Sequence, residues 1–310
     1  MIYTERTGVA EPNATGFPLV SCGALGQAGG MGELMVSVKD GEVWAADSGG
    51  DGLPLVLLHP GVGDSSVWDK VMPRLVQRHR VIRYDARGFG HSPAPTAKYS
   101  QSQDLSAVLD HFDRSRVVLV ASSMGGATAL SLTLDEPGRV AGLALFVPGV
   151  TGYEGLSSPQ LMAQIETLAK DGDMDGLVAL GLRTWAAAGV DDDEEAAAQL
   201  RGAIPAWFAT QPFQVPDAPA FDRLGELALP CVLALGEQDQ AEVIRCNEEM
   251  AARIPGCRLV RMPGSDHLPT LREPETVADL VLELGDSLLL RPAATQPRRS
   301  STATASPSHR

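Results

Sequence analysis

The chain has 310 residues, of which 44% are hydrophobic and 21% are charged, and this ordinary globular composition is enough to bury a substantial core. Its formal net charge of −14 argues against nucleic acid or an anionic membrane as the main partner, and no apolar run approaches the ~20 residues that span a bilayer. The four cysteines lack metal-binding or disulfide spacing, which favours a reducing cytoplasm and no metal site.

Residues 1–30 are rich in Gly, Ala and Pro and lack clear periodicity, so they are predicted to form a flexible extension. The segment 19–22 resembles a lipoprotein cleavage site. However, Glu5 and Glu11 interrupt the region where an apolar signal core should lie, so we do not expect export. The patterned sequence begins just after Met31, which is a candidate start of translation.

The first patterned stretch, residues 34–47, predicts a β-hairpin with an Asp-Gly turn. Residues 53–58 then predict a fully buried strand. The loop that follows, residues 59–66, is small and Gly-rich, so its backbone can come close to a ligand. Ser66 and Asp69 are predicted to form a capping box for the next helix. A loop at the carboxyl end of a buried strand is where α/β folds place ligand contacts.

Strands then alternate with helices along the chain. Strands are predicted at residues 80–84 and 139–147, with a helix at 101–113 and a further strand and helix between them. This alternation predicts a parallel sheet with right-handed crossovers.

Residues 116–130 predict a sharp strand-to-helix turn around Ser123. A β-branched apolar run stops at small residues and continues as an Ala- and Leu-rich helical pattern. So sharp a turn needs small side chains two residues before and two residues after the exposed residue, and Ala121 and Gly125 supply them. The neighbouring Ser122 would have larger side chains at both positions. Ser123 is therefore the better candidate nucleophile.

The helix that begins at Met124 would aim backbone N–H groups at a negative charge formed beside Ser123. The alternative is an ordinary buried strand followed by a helix whose N-cap happens to be a serine. The rest of the chain must supply a base and an acid to distinguish these two interpretations.

Residues 148–221 contain no convincing buried strand, and their Ala-, Leu- and Met-rich stretches predict a helical cap. Trp185 and Trp207 lie in it. They either pack the core of the cap, which is the usual role of buried aromatics, or line an apolar pocket. Residues 171–176 resemble the start of a calcium loop, but Leu182 stands at the twelfth position, where a Glu is needed. We therefore predict a turn between helices there.

The α/β pattern resumes with an apolar strand at residues 231–235, after which Asp239 lies just before a predicted helix. A further strand at 258–262 leads to a Gly-containing loop with His267. Residues 291–310 are rich in Pro, Ser, Thr and Arg and are predicted to be disordered.

Ser123, Asp239 and His267 each follow a predicted strand, and they occur in the chain order of an α/β-hydrolase triad. Of the six histidines, His267 is the best candidate base. Asp266 adjoins it in sequence and is poorly placed to orient its ring. Asp85 lies at the end of another strand, where we expect it to fix the following loop. Asp239 is the favoured acid, since the triad acid holds the imidazole from its far side.

Residues 34–290 resemble the α/β-hydrolase superfamily, and the nearest groups are capped esterases, enol-lactonases and cofactor-free haloperoxidase-like enzymes. The resemblance implies a mostly parallel central sheet flanked by helices, with a helical cap insertion. The motifs that carry it are His59-Pro60-Gly61 with Trp68 nine residues after the His, Asp85 to Ser92, Ser122 to Gly126, Gly236 to Asp239, and Gly264 to His267. The predicted domains are an extension at 1–30, a core at 31–147 and 222–290, a cap at 148–221 and a tail at 291–310.

Two positions depart from the usual motifs. Ala121 stands where the elbow usually begins with Gly, and Pro60 stands where the oxyanion loop usually has Gly. Ala is still small enough for the bend, but Pro60 has no N–H to donate. The resemblance therefore implies that the backbone N–H groups of Gly61 and Met124 form the oxyanion hole. The candidate residues of a substrate pocket are Trp68, Trp185 and Trp207.

The expected function is that of a serine hydrolase which cleaves a carboxylic ester or lactone of a small, largely apolar molecule through an acyl-enzyme, without a cofactor. The serine argues against epoxide hydrolases and haloalkane dehalogenases, which use Asp at this position. Alternatives are a perhydrolase or haloperoxidase-like enzyme, a carbon–carbon bond hydrolase, and a ligand receptor without catalysis. The oligomeric state is left open.

Overall fold

The computed structural model describes residues 31–114, 116–156, 158–189 and 193–290, so the predictions for residues 1–30 and 291–310 lie outside it. Within the described residues, one sheet contains eight strands in the order β1-β2-β4-β3-β5-β6-β7-β8. The first two pairings, β1 with β2 and β2 with β4, are antiparallel and all others are parallel. The strands are Gly32–Val38 (β1), Gly41–Asp47 (β2), Leu55–Leu58 (β3), Val81–Tyr84 (β4), Val117–Ser122 (β5), Val140–Phe146 (β6), Cys231–Gly236 (β7) and Arg258–Met262 (β8).

Helices cover both faces of this sheet, which is why its central parallel strands are apolar along their whole length. The α-helices are Met72–Leu75 (α1), Gln101–His111 (α2), Met124–Asp135 (α3), Pro159–Lys170 (α4), Met174–Trp185 (α5), Glu194–Thr210 (α6), Ala241–Arg253 (α7), Pro269–Arg272 (α8) and Pro274–Leu289 (α9). Short 3-10 helices occur at Ser65–Trp68, Pro137–Arg139, Glu154–Leu156 and Phe221–Glu226. None of the helices in the described ranges combines the length and apolarity needed to cross a membrane.

Two large apolar clusters sandwich the sheet. One contains side chains of α2, α3 and α7, and the other contains side chains of α9 and the region around α1. All six residues of β5 are buried, and β5 lies between β3 and β6 at the centre of the sheet. The predicted mostly parallel sheet flanked by helices is confirmed, with strand ends within about two residues of the expected positions.

The predicted capping box at Ser66 and Asp69 is wrong. Asp64 is the N-cap instead, and its carboxylate accepts a hydrogen bond of 2.9 Å from the Ser66 N–H. The helix it caps is a short 3-10 helix, and Asp69 forms an ion pair with Arg83 of β4. The local pattern is therefore overridden by a tertiary contact.

Three helices, α4, α5 and α6, follow β6 and share a third apolar cluster. Residues 171–173 form the turn between α4 and α5, and residues 174–176 belong to the first turn of α5. There, the Asp173 carboxylate accepts a hydrogen bond of 2.8 Å from the Gly176 N–H and caps α5. The resemblance to a calcium loop thus corresponds to a helix cap.

Candidate active site

Ser123 occupies a one-residue turn between β5 and α3. Its backbone has φ 47° and ψ −111°, a left-handed conformation that non-glycine residues rarely adopt. The backbone conformation costs of order 1–3 kcal/mol, and such strain concentrates at functional sites. Its side chain is half-buried at the carboxyl edge of the sheet, where the predicted elbow places it.

Close packing requires glycine at two positions just after Ser123. A Cβ atom on Gly125 would lie 2.6 Å from the Cβ of Leu58 and 2.7 Å from its carbonyl oxygen. A Cβ atom on Gly126 would lie 2.6 Å from the Cβ of Pro148. The first turn of α3 therefore packs so closely against the ends of β3 and β6 that only glycine fits at these two positions.

A chain of hydrogen bonds links Ser123, His267 and Asp239. The Oγ of Ser123 is 2.7 Å from Nε2 of His267, and Nδ1 of His267 is 2.6 Å from Oδ2 of Asp239. A carboxylate can only accept, so Nδ1 carries the proton and Nε2 is free to accept the serine O–H. The structure thus brings together the three side chains that the sequence selected, from loops after β5, β7 and β8.

His267 and Asp239 are both almost fully removed from solvent, with side-chain exposures of 8% and 1%. Burial alone lowers the pKa of His267, because it disfavours the imidazolium. The charge and hydrogen bond of Asp239 and the charge of Asp266 act in the opposite direction and outweigh burial. The pKa of His267 is therefore raised above its ordinary value of 6.5.

The two competing acids, Asp85 and Asp266, form hydrogen bonds with groups other than the His267 imidazole. Asp85 accepts hydrogen bonds from the backbone N–H groups of Ser65 and His91, at 2.8 and 2.9 Å, and fixes the loops around it. Asp266 accepts a hydrogen bond of 2.9 Å from Nε of Arg272. Both carboxylates have structural partners of their own.

The two predicted oxyanion donors are neighbours. A Cβ atom on Gly61 would lie 3.5 Å from Sδ and 3.6 Å from Cβ of Met124. Among the described residues, neither backbone N–H donates to a protein acceptor. The carbonyl of Gly61 accepts a hydrogen bond of 2.6 Å from Nε1 of Trp207, which anchors the loop from the side of α6.

The three candidate pocket tryptophans lie in two different places. Trp185 and Trp207 pack edge to face with ring centroids 5.5 Å apart, and the Trp185 carbonyl accepts a hydrogen bond of 3.2 Å from the backbone N–H of His267. Trp68 is fully buried against Phe146 in the cluster next to α1 and α9. Trp68 therefore packs in the core, apart from Trp185 and Trp207.

Gln199 is a residue at the site that sequence reasoning missed. Its Oε1 accepts a hydrogen bond of 3.2 Å from the Asp64 N–H, and its Nε2 donates one of 2.8 Å to Oγ of Ser66. These contacts join α6 to the loop after β3. No local pattern signals them, because the partners are far apart in sequence.

The cavity beside Met124 is small. It has a volume of about 10 Å³ and is lined by side chains that include His59, Tyr84, Gln101 and Thr128. Ligand pockets usually measure about 300–1,000 Å³. Two cavities of about 460 Å³ lie elsewhere among the described residues, and none of the three hydrogen-bonded side chains lines any of these three cavities. The hydrogen bonds of Ser123, His267 and Asp239 locate the candidate site at the carboxyl edge of the sheet.

Two curated relatives of the chain are an esterase and another hydrolase. The chain is 30% identical over 241 residues to the pimeloyl-acyl-carrier-protein methyl ester esterase of Nitrosomonas europaea, which covers 73% of this chain and 93% of that protein. It is 38% identical over 117 residues to the 2-hydroxymuconate semialdehyde hydrolase of Pseudomonas sp. (strain CF600), which covers 36% of this chain and 40% of that protein.

A solved structure of an N-acyl homoserine lactone degrading enzyme matches with a TM-score of 0.68 at 28% identity, over 81% of this chain and 99% of that one. The sequence profile of the alpha/beta hydrolase family matches residues 55–280, which is most of the chain. The resemblance carried by the motifs is thereby confirmed, and the chain belongs to the alpha/beta hydrolase family.

Proposed function

We propose that this chain is a serine hydrolase that cleaves a carboxylic ester or lactone of a small, largely apolar molecule. The observation that carries the proposal is the hydrogen-bond chain from Ser123 through His267 to Asp239, at 2.7 and 2.6 Å. The esterase and the lactone-degrading enzyme among the relatives support the ester and lactone class. The strained backbone of Ser123 supports its role as the nucleophile.

In the proposed reaction, Nε2 of His267 removes the proton from Ser123 as Oγ attacks the carbonyl carbon. The Asp239 carboxylate stabilises the imidazolium that forms. His267 then gives the proton to the leaving alcohol, and an acyl-enzyme remains on Ser123. Water attacks this ester with His267 again as the base, which releases the acid and restores the serine.

The negative charge on the carbonyl oxygen is held by the N–H groups of Gly61 and Met124 in this proposal. Their proximity and their lack of protein acceptors among the described residues support the assignment. Met124 is also the first residue of α3, so the helix end adds favourable potential. Removal of one such donor typically lowers the rate by about 10²–10³.

The segment 148–221 is proposed to act as a cap over a core formed by 31–147 and 222–290. Two contacts support this role: Trp207 donates to the Gly61 carbonyl, and Gln199 donates to Ser66. Both contacts join α6 to the loop after β3 that carries Gly61. The paired rings of Trp185 and Trp207 would then offer an apolar wall to a small ester in the cytoplasm.

The test is hydrolysis of p-nitrophenyl esters of increasing acyl length by the wild type, Ser123→Ala and Ser122→Ala. The neighbouring Ser122 is buried in β5 and is a matched control, because the same hydroxyl is removed one residue away. We expect Ser123→Ala to lose at least about 10³-fold in kcat, while Ser122→Ala retains turnover. If the wild type is active and folded Ser123→Ala hydrolyses the esters equally well, the proposal is overturned.

A fluorophosphonate label covers the case in which the wild type hydrolyses none of these esters. Covalent labelling of Ser123 in the wild type, lost in Ser123→Ala, supports an activated nucleophile whose ester substrate differs from the test series. Absence of labelling contradicts the proposed triad and favours a ligand receptor.

A further inference from the structure

Cys231 and Cys257 form a close pair of thiols that the proposed hydrolysis does not use. Their Sγ atoms are 3.6 Å apart, within hydrogen-bond distance for sulfur. Cys231 is the first residue of β7, and Cys257 directly precedes β8. Because Val232 pairs with Arg258 in the parallel ladder, the two cysteines immediately before them lie side by side.

Small reagents can reach this pair at Cys257. Cys257 is half-buried, and Cys231 lines an open cavity of about 460 Å³ at the amino ends of β7 and β8. Arg258 and Gly256, which flank Cys257 in the chain, line the same cavity. Cys257 is therefore the accessible member of the pair, and Cys231 is buried beside it.

The two thiols differ in acidity. The hydrogen bond between them lowers the pKa of the Cys257 thiol, since it stabilises that thiolate. The same bond, followed by burial, raises the pKa of Cys231. Cys257 therefore ionises first, while Cys231 remains a protonated thiol beside it.

Cys246 provides a contrast within the same part of the chain. It is fully buried on α7, and its Sγ lies 3.7 Å from Sδ of Met250. Burial raises the pKa of Cys246 to about 12. It has no second thiol as a neighbour among the described residues. Reactivity is thus expected at the pair and not at Cys246.

We propose that Cys231 and Cys257 are a modification site, a dithiol that hydrogen peroxide converts to a disulfide. In the first step, the Cys257 sulfur attacks one peroxide oxygen; a sulfur–oxygen bond forms, the oxygen–oxygen bond breaks, and water leaves with the thiol proton. In the second step, the Cys231 sulfur attacks the Cys257 sulfenic acid, a disulfide bond forms and a second water leaves. Two thiols are oxidised by two electrons, and one peroxide is reduced to two waters.

The position of the site separates it from the proposed active site. The dithiol lies at the amino ends of β7 and β8, whereas Asp239 and His267 follow their carboxyl ends. Oxidation is therefore expected to leave ester hydrolysis unchanged. The bond would join the two strands whose other ends carry the proposed acid and base.

The experiment uses the full chain with Cys22→Ser, which leaves three cysteines. The protein is treated with hydrogen peroxide, quenched with catalase and unfolded, and its free thiols are counted with dithionitrobenzoate. We expect two of the three thiols to disappear, the intact mass to fall by about 2 Da, and dithiothreitol to restore both thiols. A non-reducing digest should contain the peptide of Cys231 linked to that of Cys257.

Three variants in this background sharpen the test. Cys246→Ser should still lose both of its thiols. Cys257→Ser should form no intramolecular disulfide, and Cys231→Ser should stop at a sulfenic acid on Cys257 that dimedone traps. Retention of all three thiols in the parent, or a digest in which Cys246 is one of the linked residues, would overturn the proposal. The digest of the parent tests which cysteines are linked even if one of the variants does not fold.

Discussion

Ser123 is held in its strained conformation from both sides of its backbone. Its N–H donates a hydrogen bond of 3.2 Å to the carbonyl of Phe146, and its carbonyl accepts one of 2.8 Å from the Gly149 N–H. Both partners belong to the end of β6 and the loop after it. The neighbouring strand thus imposes a conformation that costs of order 1–3 kcal/mol, and the serine side chain is aimed at His267 as a result.

Ser123→Gly and Ser123→Ala isolate this strain, because both variants lack the hydroxyl and only Gly adopts a positive φ without a steric penalty. Relief of the strain is partly offset by the larger conformational entropy of Gly in the unfolded chain. We therefore expect Ser123→Gly to have a free energy of unfolding about 1 kcal/mol higher than Ser123→Ala, measured by urea denaturation. A Gly variant less stable than the Ala variant would mean that the backbone is not strained in solution.

Sequence reasoning works well at the residues whose signals are local. Ala121 and Gly125 mark the elbow because the constraint is steric and acts within two residues of Ser123. The contacts of Trp207 and Gln199 have no comparable signal in the sequence, since their partners, Gly61 and Ser66, lie on a distant loop. Such contacts follow from the packing of α6 and become visible only in three dimensions.

At the scale of elements, the segment after α5 is tied to the loop that carries His267. The Ala188 N–H donates to Oδ2 of Asp266 at 2.9 Å, and the His267 N–H donates to the Trp185 carbonyl at 3.2 Å. Arg272 of α8 lies 2.9 Å from Asp266 and 2.6 Å from Asp193, the N-cap of α6. Arg272 therefore joins the proposed cap to the proposed base through two carboxylates.

Arg272→Gln leaves the Asp266 carboxylate buried without its cation. Loss of one partner of a buried ion pair typically lowers the free energy of unfolding by about 3 kcal/mol, and we expect a loss of that order in urea denaturation. The unneutralised charge of Asp266 also favours the imidazolium, so it raises the pKa of His267 further. Because hydrolysis needs the neutral imidazole, kcat/KM falls as the pH drops below this pKa. The acid limb of the pH profile should move to higher pH.

Asp193→Asn is the matched control for this variant. Asn still caps α6, and the pair between Asp266 and Arg272 remains, so only the ion pair to the proposed cap is lost. We expect a smaller loss of stability and an acid limb that stays, as in the wild type, above the ordinary histidine value of 6.5. If Asp193→Asn moves the limb as far as Arg272→Gln does, the shift arises from the cap segment and not from the charge of Asp266.

At the scale of the whole molecule, the alternation of strands and helices was enough to predict the parallel sheet, because each buried strand must be apolar along its length. The order Ser, Asp, His was enough to select three side chains that lie within hydrogen-bond distance. The proximity of Cys231 and Cys257 could not be predicted, since their spacing carries no disulfide signal and only the register of β7 and β8 brings them together. Local and periodic signals thus predict the fold, while pairings across elements need the register.

The acidic excess of the chain, 39 acidic against 25 basic residues, should affect which esters reach the site. A net negative potential lowers the local concentration of anionic substrates, and salt screens it over a distance that shrinks from about 30 Å at 0.01 M to about 10 Å at 0.1 M. We expect kcat/KM for p-nitrophenyl hemisuccinate to rise several-fold over this salt range. The neutral p-nitrophenyl butyrate, which has a similar acyl length, should show little change. Equal salt responses of the two esters would mean that the entrance to the site is locally neutral, and that the net charge does not select among substrates.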